Sequence, residues 1–255
     1  MWLRLRQIAT LTSDLDKTES AICDILGVEG CFTDPGVDVF GLRNILIPIG
    51  NQLLEVLAPV RKGTTGGRYM ERRGGDTGYM VITQCDDHAP RRARVEELGV
   101  RKVVDQELGE LLNMQLHPKD TGGSFLEIDE QRGPNAHTLD GPWEPAGPDW
   151  QRARHTERVT GIAAAEMQCD DPRKIAERWS EITEIPLEDR AGVPTLPLDN
   201  ATLRFMPCSD GRPEGLGAID VATSDKAAIL RAAEAHGVVT APDQITLSGL
   251  RINLV

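Results

Sequence analysis

Two glutamates, Glu55 and Glu127, occupy corresponding places in successive stretches of the chain, and their type and spacing could support chemistry. The predicted strand face that carries Glu55 also carries Leu53 and Leu57. Two carboxylates brought to one spot repel each other unless a cation or a proton lies between them. The pair therefore predicts either a cation site or a carboxyl group that acts as a base. A glutamate on a strand is also typical of a solvated sheet edge, and spacing alone leaves that interpretation open.

Two further polar residues stand near these glutamates in the repeated pattern. Residues 3–12 alternate as a strand, and Gln7 is the polar exception on its otherwise apolar odd-numbered face. His117, in QLHPKD, precedes the strand that carries Glu127. An imidazole there could act on a substrate, or it could serve as a turn residue before Pro118.

The elements that would position these residues recur along the chain. Each unit has a strand, an acidic turn, one amphipathic helix and then short closing strands. The units open with LRLRQIATL, GYMVITQC, VTGIAAAEM and LGAIDVATS. Four units of roughly 60 residues cover nearly the whole sequence. Because one unit cannot cover its own sheet face, the units are expected to pair around concave surfaces in an α+β fold.

The first unit shows the local signals most clearly. The spacing predicts a helix that is capped by Ser13 and ends at Gly27. Gly50 and Asn51 lie between two apolar runs and predict a hairpin. The glycine-rich, charged segment 61–78 is interpreted as a loop or a short helix that could close over a site.

Composition narrows the classes of partner. The 255 residues include 40 acidic and 28 basic side chains, for a net charge of -12. This charge disfavours nucleic acid and an anionic membrane, so a small-molecule substrate or ligand is the expected partner. Five cysteines without a CxxC pair indicate reduced thiols and a cytoplasmic protein. No run approaches the about 20 apolar residues of a membrane span, and the N-terminus is too polar for a signal peptide.

A stretch rich in proline and glycine divides the chain. Residues 132–154 contain four prolines and no periodicity, which is typical of a linker. Trp143 and Trp150 indicate that this linker packs against a domain. The sequence therefore predicts an N-terminal domain over residues 1–131 and a C-terminal domain over residues 155–255.

The order of the elements, with LRQIATLTSDLDKTESAICDILGV, QLLEVLAPV and GGRYMERRGGDTGYMVI, resembles the vicinal oxygen chelate superfamily. That superfamily includes glyoxalase I, methylmalonyl-CoA epimerase, extradiol dioxygenases and bleomycin-resistance proteins. The resemblance covers residues 1–130 and, more weakly, residues 155–255. It implies four βαβββ-type units paired into two cup-shaped glyoxalase-like domains, with the last unit shortened. The family's enzymes hold a divalent metal on the floor of the cup.

Position by position, the resemblance implies metal ligands at Gln7, Glu55 and Glu127. Met80 falls where the family's second unit usually carries a histidine, and a thioether is a poor ligand for hard cations. The remaining oxygen donors suit Mg²⁺ or Mn²⁺ better than Zn²⁺, Ni²⁺ is a further candidate, and a metal-free site stays open. His117 could replace the missing ligand, and Gln7 could merely line the cup.

The resemblance implies a lyase or isomerase that acts on a small oxygenated substrate by metal-assisted proton transfer next to a carbonyl. Glu127 or Glu55 would be the base, with His117 as a further catalytic candidate. The alternative is a metal-free protein that binds or sequesters a small molecule in the same cup. The ligand-binding residues predicted for that cup are Tyr79, Met80, Leu53 and Leu57. The second half has no carboxylate at the corresponding strand positions, so the site is assigned to the first half. A monomer or a homodimer is expected.

Overall fold

A computed structural model describes all 255 residues, and it confirms the predicted α+β class. The helices are α1 (Leu15–Leu26), α2 (Thr65–Arg73), α3 (His88–Glu97), α4 (Pro118–Thr121), α5 (Pro172–Thr183) and α6 (Lys226–His236). Helix α2 lies inside segment 61–78, which confirms the short-helix interpretation of that segment. None of the helices combines the length and the hydrophobicity that crossing a membrane requires.

Fifteen strands complete the fold. They are β1 (Leu3–Leu11), β2 (Leu42–Ile49), β3 (Gln52–Pro59), β4 (Thr77–Cys85), β5 (Lys102–Leu108), β6 (Leu111–Leu116), β7 (Phe125–Gln131), β8 (Val159–Cys169), β9 (Glu188–Arg190), β10 (Val193–Pro197), β11 (Thr202–Pro207), β12 (Gly215–Thr223), β13 (Val239–Ala241), β14 (Gln244–Leu247) and β15 (Leu250–Leu254).

The strands form two sheets. The first has the order β2-β3-β1-β4-β7-β6-β5, and the second has the order β13-β14-β15-β12-β8-β11-β10-β9. Strand β4 pairs in parallel with β7, β8 with β11, and β12 with β15. Because parallel neighbours need a crossover, each of these pairs is separated in sequence by one longer helix: α3, α5 and α6.

Local chemistry explains where the first helix and hairpin begin and end. Helix α1 is capped by Asp14, whose carboxylate accepts the amide of Lys17 at 3.2 Å, so the prediction of Ser13 as the cap is wrong. Both residue types satisfy a free amide at a helix start, and here the aspartate does so. Gly27 ends the helix at φ 66, as predicted. Gly50, at φ 63, makes the tight turn between β2 and β3.

The chain divides into two compact lobes. Lobe 1 contains residues 1–7, 79–144 and 164–216, and lobe 2 contains residues 8–78, 145–163 and 217–255. The core of lobe 1 includes the buried Trp179, whose ring meets that of Phe205 edge-on at 5.6 Å. The domain boundaries at 131 and 155 stay a prediction.

Candidate active site

Strand β7 brings two carboxyl groups, those of Glu127 and Asp129, to one face of the sheet in lobe 1. Residues two apart on a strand project to the same side. Glu127 is 4% exposed and Asp129 is 0% exposed. On the adjacent parallel strand, Ile82 lies opposite Glu127 and Gln84 lies opposite Asp129, so both share this face. Two ionisable side chains are therefore held side by side, away from water.

Asn113 of β6 holds the two carboxyl groups in place. Its Nδ2 atom donates to Glu127 Oε1 at 2.7 Å and to Asp129 Oδ1 at 3.1 Å. The backbone amide of Met114 also donates to Asp129 Oδ1, at 3.2 Å. The other oxygens, Glu127 Oε2 and Asp129 Oδ2, are buried without a hydrogen-bond partner. A proton held between the two carboxyl groups would satisfy both of them.

Burial and mutual proximity shift both carboxyl groups towards the protonated form. Burial raises the pKa of Glu127 well above its ordinary 4.5, and the negative charge of Asp129 raises it further. Burial also raises the pKa of Asp129 from 3.8 to about 7, although hydrogen bonds from Glu127, Met114 and Asn113 oppose this rise. Near neutral pH Glu127 therefore keeps its proton, while Asp129 is close to its own midpoint.

Sequence reasoning identifies Glu127 but misses Asp129 and Asn113. The alternation in FLEIDEQ, residues 125–131, places Glu127 and Asp129 on one strand face, and this signal could have revealed the pair. Asn113 depends on the register between β6 and β7, in which Gln115 lies opposite Glu127. Local sequence does not determine that register.

Glu55 lies on β3 in lobe 2 and has a similar local setting. It is 6% exposed, and its Oε1 accepts Asn44 Nδ2 at 2.6 Å. Its main-chain carbonyl accepts the hydroxyl of Thr10 at 3.3 Å. Leu53 and Leu57, on the same strand face, are buried. Both predicted glutamates are therefore buried beside an asparagine, which rules out the solvated-edge interpretation of Glu55 and Glu127.

Gln7 lies in the packed interior of lobe 1. Its Oε1 accepts the indole Nε1–H of Trp143 at 2.9 Å, and the guanidinium of Arg6 lies 5.4 Å from the centre of that indole. Nearby in sequence, the amide of Glu144 donates to Gln131 Oε1 at 2.9 Å. The prediction that Trp143 packs against a domain is confirmed, since its side chain is buried.

The remaining predicted residues of lobe 1 are Tyr79, Met80 and His117. Tyr79 and Met80 are buried; the Tyr79 ring lies 5.0 Å from that of Phe125, and Met80 is the strand partner of Phe125. His117 begins helix α4, where its Nδ1 accepts the amide of Lys119 at 3.1 Å. Met80 thus has the environment of a wall or core residue, and the His117 imidazole caps a helix.

The donor set does not fit a resident divalent cation. Nowhere in the chain do three or more His, Cys, Asp or Glu side chains form a group that could hold a metal ion. The Gln7 oxygen already accepts an indole hydrogen bond, and Met80 offers only a thioether. This donor chemistry therefore does not support metal binding by Gln7, Glu55 and Glu127. In lobe 1, burial raises the pKa of both Glu127 and Asp129, and protonation relieves the repulsion that a cation would otherwise relieve.

Known proteins resemble this chain in sequence and in fold. A family model described as a glyoxalase-like domain matches residues 8–183. The mitochondrial methylmalonyl-CoA epimerase of Mus musculus is 23% identical over 130 residues, which are 50% of this chain and 72% of that protein. The ethylmalonyl-CoA/methylmalonyl-CoA epimerase of Cereibacter sphaeroides is 25% identical over 132 residues, which are 50% of this chain and 97% of that protein. The crystal structure of a hypothetical protein from Staphylococcus aureus covers 100% of both chains with a TM-score of 0.69 and 11% identity, so it shares the fold.

Proposed function

Because the chain belongs to the glyoxalase-like domain family, we propose that it is an isomerase or lyase that moves a proton next to a carbonyl group of a small oxygenated substrate. The observation that carries this proposal is the buried pair Glu127 and Asp129, which share the Asn113 donor and whose pKa values are both raised by burial. Two relatives are named epimerases, and this supports the isomerase branch. Their identity to this chain is low and spans half of it, so the substrate is a separate question.

The pair supplies the two groups that such a reaction needs. In the first step the Asp129 carboxylate takes the proton from the carbon next to the carbonyl, so that the C–H bond breaks and its electron pair moves towards the carbonyl oxygen. The protonated Glu127 donates a hydrogen bond, or its proton, to that oxygen as negative charge develops there. Asp129 then returns its proton to the opposite face of the planar carbon, which the intermediate presents by turning over. The carbonyl re-forms and Glu127 recovers any proton that it gave to the oxygen, so the configuration at that carbon is inverted and the pair is regenerated. Glu55 as an alternative base stays a prediction.

Asn113 has a positioning role in this scheme. By donating to both Glu127 and Asp129, it fixes their separation and leaves one oxygen of each without a protein donor. In the proposed mechanism these two buried oxygens are the atoms that contact the substrate once it has entered the site. An Asn113→Ala variant is therefore expected to lower kcat with little change in KM, because the bound substrate would meet a misaligned pair.

The pH profile follows from the same pKa values. Activity is expected to rise as the pH passes about 7, because Asp129 must lose its proton to act as base. It is expected to fall again at higher pH, when Glu127 loses the proton that it donates. A profile that is flat across this range would contradict the assignment of acid and base.

Solvent exchange tests the proposal even when the final product is unidentified. The protein is incubated in D₂O with methylmalonyl-CoA, simple acyl thioesters or 2-oxo acids, and deuterium uptake at the carbon next to the carbonyl is followed by NMR. The wild-type protein should catalyse uptake into at least one compound, and Glu127→Gln should slow it by about a hundredfold. Glu107→Gln, which alters an exposed carboxylate of β5, is the matched control. Undiminished exchange in Glu127→Gln would overturn the proposal.

A small-molecule binding protein is the second candidate, and one observation favours it. The carboxyl groups of Glu127 and Asp129 and the Gln7 side chain are all buried, so a ligand held beside them would be shielded from water. The same experiment separates the two functions. A compound that raises the melting temperature but takes up no deuterium would favour binding.

A further inference from the structure

Two arginines of strand β1, Arg4 and Arg6, are buried in lobe 1 at 4% and 1% exposure. Arg4 donates from Nε and from a terminal nitrogen to Gln84 Oε1, at 3.1 and 2.8 Å. Arg6 donates to the main-chain carbonyls of Leu139 and Gly141, at 2.7 and 2.9 Å. These acceptors are all uncharged, although each guanidinium carries a full positive charge.

The carbonyl groups come from one short segment, residues 133–144, which we call the strap. Arg4 reaches three more of its main-chain oxygens, those of Thr138, His137 and Ala136, at 2.8, 3.2 and 3.4 Å. Five carbonyls of the strap thus point at the two guanidinium groups. The end of the strap is held separately by the hydrogen bond from Trp143 to Gln7.

Neutral carbonyls are weak partners for this pair of charges. A guanidinium matches carboxylate and phosphate oxygens in a two-point geometry, and such charge-assisted hydrogen bonds are stronger than bonds to neutral acceptors. Burial lowers the pKa of Arg6 to about 9, the neighbouring Arg4 lowers it further, and Asp140 only partly compensates. Burial also lowers the pKa of Arg4, and the charge of Asp199 only partly offsets this. The strap therefore satisfies the hydrogen-bond geometry of the two arginines, but its main-chain oxygens supply no full negative charge to either of them.

The strap also lies against the face that carries the carboxyl pair. Gln84, which binds Arg4, is the strand partner of Asp129 and projects to the same side. The strap touches this face at two places: the carbonyl of Ala136 accepts Gln84 Nε2 at 3.0 Å, and the amide of Glu144 donates to Gln131 Oε1. Gln84 is level with Asp129, and Gln131 is two residues beyond it on β7.

We propose that Arg4 and Arg6 form an anion-binding subsite, which the strap fills in this closed form and which an anionic group of the substrate fills after displacing the strap. The inference rests on the proposed function and specifies its substrate class: an oxygenated compound that carries a carboxylate or a phosphate. The anionic group binds the arginines while the reactive carbon lies at Glu127 and Asp129. With a net charge of -12, the rest of the protein repels anions, so this local pair of cations determines where one binds.

The test is calorimetric titration of the full-length protein with inorganic phosphate and, separately, with malonate, against chloride at the same ionic strength. Binding is expected, with faster amide hydrogen exchange in the strap when the anion is present. Phosphate and malonate distinguish the two anion classes, and binding of either one supports the subsite. Arg6→Gln should weaken binding by about tenfold or more, since a charge-assisted contact is lost. Arg101→Gln, which alters an exposed arginine of the same lobe, should leave it unchanged.

Trp143→Phe separates an anion subsite from a purely structural clamp. This variant removes the indole donor to Gln7 and loosens the strap, while both arginines stay in place and Arg6 keeps an aromatic ring beside it. Because the strap competes with the anion, Trp143→Phe should bind the anion about three- to tenfold more tightly than the wild-type protein. An unchanged affinity, or no binding of either anion to either protein, would overturn the inference. If Arg6→Gln does not fold, the Trp143→Phe result decides.

Failure of the subsite and failure of the proposed function give different results. Glu127→Gln should keep anion binding while deuterium exchange is lost. Anion binding without deuterium exchange into any compound would support the anion-binding subsite and contradict the proposed enzyme activity. Equal exchange rates for an anionic substrate and its uncharged ester would support the proposed enzyme activity and contradict the anion-binding subsite.

Discussion

Replacing Asp129 by asparagine should stabilise the protein at alkaline pH and not at acid pH. The folded protein keeps a proton on Asp129 up to about pH 7, whereas the unfolded chain releases it near 3.8. Between these values the folded state binds more protons than the unfolded state, so the free energy of unfolding falls as the pH rises. Asparagine is neutral throughout and carries no such penalty, while its Oδ1 still accepts the amide of Met114.

The size of the effect follows from the rise in the pKa. A change from 3.8 to about 7 corresponds to about 4 kcal/mol once the pH exceeds the higher value. Rearrangement of nearby dipoles reduces such penalties in protein interiors, so we expect a gain of about 2 to 4 kcal/mol at about pH 8 relative to about pH 4.5. Taking the difference between the variant and the wild-type protein at each pH, and then comparing the two differences, removes any constant cost of the substitution, such as a reoriented Asn113 side chain.

Urea unfolding at these two pH values measures the effect directly. The matched control is Glu107→Gln, whose exposed side chain should change the free energy of unfolding by less than about 0.5 kcal/mol at either pH. The reasoning is refuted if Asp129→Asn has the same effect at both pH values, or if its gain appears only in acid. Either result would mean that Asp129 is ionised in the folded protein.

Three further perturbations are informative. Trp143→Phe should lower the free energy of unfolding by about 1 kcal/mol, because the Gln7 oxygen loses its indole donor, and an unchanged urea midpoint would contradict this. Gln52→Ala should lower the free energy of unfolding by about 1 to 3 kcal/mol in the same assay, because the Gln52 side-chain amide donates to the carbonyl of Ile162 and accepts from its amide, both at 2.7 Å. An unchanged free energy of unfolding would show that water replaces these two hydrogen bonds. Adding Mg²⁺, Mn²⁺, Ni²⁺ or Zn²⁺ should raise the melting temperature by less than about 1 °C, and a larger rise that Glu127→Gln abolishes would restore the metal ligand set.

The sequence predicts those parts of the fold that depend on local chemistry. Helix α1 ends where Gly27 can adopt a left-handed conformation, and the β2–β3 hairpin turns at Gly50 for the same reason. The cap of α1 is misassigned by one residue because Ser13 and Asp14 are both competent caps, and only the backbone path decides between them. Such signals predict elements well and their boundaries less well.

The candidate site depends on contacts that the local sequence does not encode. Glu127 is identified from its place in the repeat, but its burial beside Asp129 and Asn113 follows from the register of three strands. The hydrogen bonds between the strap and the side chains of Arg4 and Arg6 are harder still to predict. Alternation marks these arginines as one face of β1. Apart from Gln84, however, the acceptors described for them are main-chain oxygens more than 130 positions away, and every residue type has such an oxygen.

The strap is bound through its main-chain oxygens, so it should tolerate substitution of most of its side chains. Since Arg4 and Arg6 bind carbonyl oxygens, most side chains at residues 136–139 could be exchanged without removing a single one of those bonds. An alanine scan would therefore report this stretch as dispensable, and related proteins could diverge there while keeping the same closure. Selection would have to preserve the length of the strap and the path of its backbone. Deleting one residue would shift the carbonyl groups away from the arginines, which a substitution would not do.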